Sequence, residues 1–184
     1  MEFNIKNMIR PHLLDSKSYQ SLRNSYLQKE VVLLDANENP FGSYNRYPDA
    51  EHLQLKLKLA EINEVQPEQL FLGNGSDELI DLAMRMFCEP TEDAIMVFNP
   101  SFVMYEISAK LNNLGVEKLQ LNADFQLEKE VFQDAISKTK AKILFLCSPN
   151  NPTGNSIDDL EFYIQNFTGI VIVDEAYLEF SKEV

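Results

Sequence analysis

Residues 142–154 read KILFLCSPNNPTG and residues 169–174 read GIVIVD. Each begins as an unbroken apolar run of strand length, Ile143 to Cys147 and Ile170 to Val173, rich in β-branched and aromatic residues. Strands buried on both faces read this way, because no alternate position has to meet water. Between the two runs, Asp158 to Phe167 reads as a helix, so the stretch predicts a β-α-β unit and a parallel sheet.

The same alternation extends in both directions. Strands are expected near Ala94 to Phe98, Gly115 to Leu121, Lys142 to Cys147 and Gly169 to Asp174, with helices near Phe102 to Leu111, Leu127 to Lys138 and Asp158 to Phe167. Upstream, a short strand at Leu70 to Leu72 leads through Gly73-Asn74-Gly75 into a helix. Ser76 is its expected cap, Asp77 and Glu78 lie in its first turn, and Leu79, Leu82, Ala83, Met86 and Phe87 repeat at helical spacing. Leu53 to Leu59 alternates Leu with polar residues at period two, a strand pattern, yet Leu, Gln and Lys favour helix and no β-branched residue interrupts them. A helix is expected there. Residues 1–50 lack a core pattern and read as an arm ending in turn chemistry, Asn37-Glu38-Asn39-Pro40-Phe41-Gly42. Residues 51–184 read as the α/β domain.

Composition excludes several classes of function. The 184 residues carry 16 Lys and Arg against 29 Asp and Glu, a net charge of −13 that repels a phosphate backbone, so nucleic acid is not an expected partner. No apolar run approaches the roughly 18 residues a spanning helix needs, and the N-terminus lacks the apolar centre of a secretory signal. Neither a membrane nor an export route is expected, which places the chain in the cytoplasm. Cys88 and Cys147 are far apart and the two histidines, His12 and His52, complete no zinc spacing, so the cysteines read as buried thiols and no metal site is expected.

In an open α/β sheet, ligands collect beyond the carboxyl ends of the strands. Three segments fall there: Asn99-Pro100-Ser101-Phe102, Ser148 to Gly154, and Asp174-Glu175-Ala176-Tyr177. The Ser148 to Gly154 segment is a stiff turn that leaves an Asn amide available as a donor. Asp174 ends an apolar strand, where a carboxylate either finds a cationic or hydrogen-bonding partner or stands exposed at the sheet edge. Gly73 to Asp77 opens a helix whose free N–H groups suit a phosphate, or is simply a glycine turn before a capped helix. A dinucleotide fingerprint fails at Glu78, the Walker pattern lacks its Gly-Lys pair, and no GxSxG elbow supports a hydrolytic triad.

Read together, N37-E-N-P40, N45-R-Y-P48, G73-N-G-S-D-E78, N99-P-S-F102, S148-P-N-N-P-T-G154 and D174-E-A-Y-L-E-F180 resemble the fold-type I pyridoxal-phosphate aminotransferases, and within them the histidinol-phosphate aminotransferase family. The resemblance covers nearly the whole chain. It implies an N-terminal arm and most of the large cofactor-binding domain, incomplete at its C-terminus. It further implies amino-group transfer between L-histidinol phosphate and 2-oxoglutarate, giving imidazole acetol phosphate and L-glutamate in histidine biosynthesis.

By that resemblance Asp174 faces the pyridine nitrogen, Asn151 and Tyr177 face the ring's phenolic oxygen, and Phe102 stacks on the ring. Gly75, Ser76 and Asp77 hold the cofactor phosphate. Tyr47 reaches the phosphate of a neighbouring subunit in a homodimer, and Tyr19 lies near the substrate phosphate. The family's Schiff-base lysine lies in a Ser-Lys segment well downstream of Asp174. Lys182 follows a serine only eight residues after Asp174 and is not expected to fill that role, so the 184 residues alone are expected to be inactive. Another fold-type I enzyme, a related aminotransferase or an amino-acid-phosphate decarboxylase, would share the cofactor residues. A non-catalytic binding fragment is the remaining alternative.

Overall fold

The continuous apolar runs form strands that are covered on both sides. In the computed structural model, which describes residues 4–17, 32, 34 and 36–181, four strands build one sheet: β1 (Ala94–Asn99), β2 (Gly115–Gln120), β3 (Ala141–Cys147) and β4 (Ile170–Asp174). All pairings are parallel and the spatial order is β2-β1-β3-β4. The four strands expected from Ala94 onward and the three helices expected between them are present, each within two residues of its expected ends.

Side-chain parity explains why the runs are apolar throughout. Ile95 and Val97 of β1 and Ile143, Phe145 and Cys147 of β3 enter one core, together with Ile80 and Met84 of α2 (Gly75–Phe87) and Tyr105 and Ala109 of α3 (Met104–Leu111). Met96, Phe98, Leu144 and Leu146 point the other way. They pack with Phe132 of α4 (Lys129–Ile136) and Tyr163 of α5 (Leu160–Asn166). In β4, Ile170 and Ile172 join the first core and Val171 and Val173 the second. Asp174 shares the parity of Ile170 and Ile172, so the last residue of β4 faces the α2/α3 layer.

The chain divides into two compact units, Met1–Asp15 with Gly73–Val184, and Ser16–Leu72. The sheet belongs to the first. In that unit Arg10 closes the C-terminal end of α2: its backbone N–H donates to Met86 O at 3.0 Å, its guanidinium donates to Arg85 O at 3.1 Å, and it pairs with Glu89 at 3.2 Å. Those carbonyls have no partner inside the helix. Gly169 admits no side chain, since a Cβ there would collide with Lys142 O and the Phe167 ring.

The second unit contains α1 (Leu53–Asn63), so propensity prevails over the period-two pattern. The leucines spaced by two do not form one stripe on a helix, and Leu53, Leu55 and Leu57 are all about half exposed. Asp49 caps the entry to α1, its carboxylate accepting from Leu53 N at 2.8 Å and Glu51 N at 3.0 Å, and these N–H groups hold its pKa below the ordinary value.

Two local expectations need correction. Leu70 has extended dihedrals, but Leu70 to Leu72 pairs with no strand among the described residues; isolated extended chain does not complete a ladder. Ser76 does not cap α2. The helix starts two residues earlier than a Ser76 cap implies, at Gly75 with Asn74 at the N-cap, and Glu78 reaches back so that its carboxylate accepts the Asn74 N–H at 2.5 Å.

Candidate functional site

The strand order creates a switch point. From β1 the chain moves to β2 on one side, then crosses to β3 on the other, so the loops leaving β1 and β3 diverge side by side beyond the sheet. Three cis peptide bonds, Asn99–Pro100, Ser148–Pro149 and Asn151–Pro152, lie in these two loops.

One residue joins the loops. Asn150 is 3 % exposed, and its amide is fully engaged: Oδ1 accepts from Ser101 Oγ at 2.8 Å, while Nδ2 donates to Pro100 O at 3.0 Å and Thr153 Oγ1 at 2.7 Å. Asn151, its neighbour, turns outward, and its Nδ2 lies 3.4 Å from Tyr177 Oη. Asn151, Pro152, Gly154, Tyr177 and Phe180 help to line a cleft of about 360 Å³, within the usual size of a small-molecule site.

Beneath this, β3 and β4 end in register at Cys147 and Asp174. The half-buried Asp174 carboxylate accepts Tyr105 Oη–H at 2.7 Å through Oδ2 and Ala176 N–H at 3.2 Å through Oδ1. Tyr105 is fully buried, stacked on Phe145 at 4.6 Å and edge-on to Phe102 at 5.5 Å. Burial first, then the neighbouring Cys147 and Asp174, drives its phenol pKa far upward, so it remains a protonated donor. Burial likewise pushes the Cys147 thiol up. Asp174 thus ends an edge strand of the described sheet, and its half-buried carboxylate has hydrogen-bonding partners there. Phe102, Asp174 and the Cys147 end of β3 converge around one tyrosine.

Gly75, Ser76 and Asp77 open α2, where the first N–H groups have no intrahelical partner. Gly75 has φ +78° and nothing within 4 Å of the position a Cβ would take, so the helix entry is conformationally restricted yet open. The Asp77 side chain is exposed. Ile80 and Met84, farther along α2, enter the same core as Tyr105 and Cys147, which seats α2 on this face of the sheet.

Tyr47 belongs to the other unit and is 65 % exposed. Its backbone N–H is held at 2.7 Å by the Glu38 carboxylate, which also accepts from Arg46 Nη1 at 2.7 Å. Tyr19 and Lys182 lie outside the described residues. No cluster of His, Cys, Asp and Glu suited to a metal ion occurs among the described residues, and no described helix is long and apolar enough to cross a membrane.

Two residues of this arrangement escape a reading of the sequence. Tyr105 carries only the signal of a helical core position. Asn150 is indistinguishable by type from Asn151, and its partners at Pro100 and Ser101 are about 50 positions away.

Comparison with known proteins agrees with this architecture. The histidinol-phosphate aminotransferase of Parabacteroides distasonis is 44% identical over 180 residues, 96% of this chain and 52% of its own length. That of Flavobacterium psychrophilum is 44% identical over 186 residues, 98% of this chain and 53% of its own. The chain thus spans about half the length of the curated relatives it matches. The crystal structure of histidinol-phosphate aminotransferase from Sinorhizobium meliloti in complex with pyridoxal-5'-phosphate shares the fold, with a TM-score of 0.66 at 23% identity over 74% of this chain and 38% of that one. The family model for aminotransferase class I and II matches residues 13–183. With the parallel sheet, the switch-point loops and this match in agreement, the chain belongs to the aminotransferase class I and II family.

Proposed function

We propose that this chain is the cofactor-binding part of a histidinol-phosphate aminotransferase, which exchanges an amino group between L-histidinol phosphate and 2-oxoglutarate using pyridoxal phosphate. The observation that carries the reading is the 42–44% identity to proteins of that name along nearly the whole chain. The geometry supports it, because a carboxylate, two donors, an aromatic ring and a helix N-terminus occupy one face and one edge of a single sheet.

The cofactor, when bound, supplies an electron sink for the pair released at the substrate α-carbon. Each residue has a physical role in preparing that sink. Asp174, at the end of an apolar strand, holds a proton on the pyridine nitrogen, since a carboxylate favours the charged form of a neighbouring base. Tyr105 and the Ala176 N–H orient that carboxylate. Asn151 and Tyr177 present an amide N–H and a phenol to the phenolic oxygen. Phe102 covers one ring face, where an aromatic contact contributes about 1 kcal/mol.

Gly75, Ser76 and Asp77 direct N–H groups and the positive end of the α2 dipole at the phosphate. The exposed Asp77 carboxylate stays clear of it, since like charges repel. Tyr47, already exposed, serves the phosphate of a second copy, with residues 1–50 as the arm that reaches it and residues 51–184 as the partial large domain. Tyr19 is assigned to the substrate phosphate. The complete enzyme acts in the cytoplasm as a homodimer.

The test is amino exchange by the complete enzyme that contains this chain, with histidinol phosphate as donor and 2-oxoglutarate as acceptor. Glutamate formation is expected. Failure of histidinol phosphate, with another amino donor accepted, sinks the substrate assignment and leaves the family intact.

A further inference from the structure

We propose that Asn150 is a positioning residue for the cofactor's phenolic-oxygen donor, holding Asn151 in place by tying the loop after β3 to the loop after β1. The inference rests on the cofactor reading above, in which Asn151 faces that oxygen.

Hydrogen-bond capacity first separates the two asparagines. Asn150 spends its whole amide inside the protein, on Ser101 Oγ, Pro100 O and Thr153 Oγ1, and it is buried. Its backbone is equally committed: the N–H donates to Asn155 O at 2.8 Å and the carbonyl accepts from Gly154 N at 2.7 Å. Its side-chain and backbone N–H groups are all spent inside the protein, so it has no donor left for a ligand. Asn151 retains an outward amide in the cleft beside Tyr177. Adjacent residues share one peptide plane, so fixing Asn150 on both sides restricts the direction in which Asn151 can point.

The partners also matter. Ser101 and Pro100 immediately precede Phe102, so the amide connects the ring-stacking segment with the donor segment across the switch point, 49 and 50 residues apart in sequence. Thr153 carries the link onward, donating to Asn155 Oδ1, and Asn155 Nδ2 donates to Phe125 O at 3.0 Å. A polar bridge buried at this place is worth its desolvation only if every member is satisfied, and this one is.

The test is the pH midpoint of the cofactor's visible absorption in the complete, cofactor-loaded enzyme, followed alongside its thermal midpoint. A donor on the phenolic oxygen stabilises its ionised form, so losing the donor's alignment moves the absorption midpoint upward. Asn150→Ala is expected to raise it by about one pH unit, a tenfold change in the ionisation constant. Ser101→Ala, which removes only the donor to Asn150 Oδ1, moves it in the same direction by less and carries the test if Asn150→Ala does not fold. In an Asn151→Ala background, neither substitution adds a further shift.

An unchanged absorption midpoint with a lowered thermal midpoint overturns the inference, since Asn150 is then only a structural bridge. A shift that persists in full in the Asn151→Ala background overturns it too. If Asn151→Ala alone leaves the absorption midpoint in place, the cofactor reading of Asn151 fails and the inference falls with it, an outcome distinguishable from the other two.

Discussion

Tyr105 Oη donates a 2.7 Å hydrogen bond to Asp174 Oδ2, joining the first turn of α3 to the last residue of β4. The bond follows from parity. Asp174 falls on the same side of β4 as Ile170 and Ile172, which is the side α3 covers, and Tyr105 is fixed there by stacking on Phe145. Burial holds the phenol protonated, so Tyr105 remains a hydrogen-bond donor to the Asp174 side chain.

Tyr105→Phe keeps the stacked ring and removes only the donor. Urea unfolding of the chain is expected to show a loss of about 1–3 kcal/mol, the usual cost of deleting one side of a hydrogen bond to a charged group. A loss below a few tenths would mean that water replaces the hydroxyl.

Asp174→Asn is nearly isosteric but removes the charge that would face the pyridine nitrogen. In the complete enzyme, kcat/KM is expected to fall by about 10²-fold or more, in line with the 2–5 kcal/mol cost of breaking a buried charge pair. A mutant as active as wild type would remove Asp174 from the proposed mechanism.

The two buried thiols give a pH signature. Burial, aided by Asp93, pushes Cys88 from 9.0 up to about 12, and Cys147 is raised by the same cause. Folded values above unfolded ones mean that this contribution to stability is fully present below pH 9 and is lost as pH rises towards 12. Unfolding free energy measured across that window is expected to decline, with neither thiol reacting with a disulfide reagent until the chain unfolds.

Tyr47→Phe tests the arm. Cofactor affinity of the complete enzyme is expected to drop about tenfold, equivalent to one hydrogen bond of about 1.4 kcal/mol. Mixed dimers, formed from Tyr47→Phe and Asp174→Asn subunits, separate a contact across the interface from one within a subunit. In a cross-subunit arrangement the mixed dimer contains one site with both substitutions and one site with neither.

The class of fold was written locally. Ile143 to Cys147 and Ile170 to Val173 read as strands because they are unbroken apolar runs of strand length. The first is buried in the core and the second partly buried, with its side chains joining the clusters on both sides of the sheet. The helical reading of Leu53 to Leu59 was equally local, a matter of residue propensity, and α1 has that conformation. The placement of Asp174 and Asn151 at strand ends followed from the same pattern.

What those residues touch was decided only by the tertiary structure. Tyr105 meets Asp174 across 69 residues, and Asn150 meets Ser101 across 49. Both contacts depend on β1 lying beside β3, with β2 displaced to the outside, an order that no local periodicity encodes. Two asparagines in succession look alike in the sequence. Packing of the β1 loop against one of them makes Asn150 an internal bridge and leaves Asn151 facing the cleft, because a buried amide must find partners for its polar atoms and an exposed one can use water.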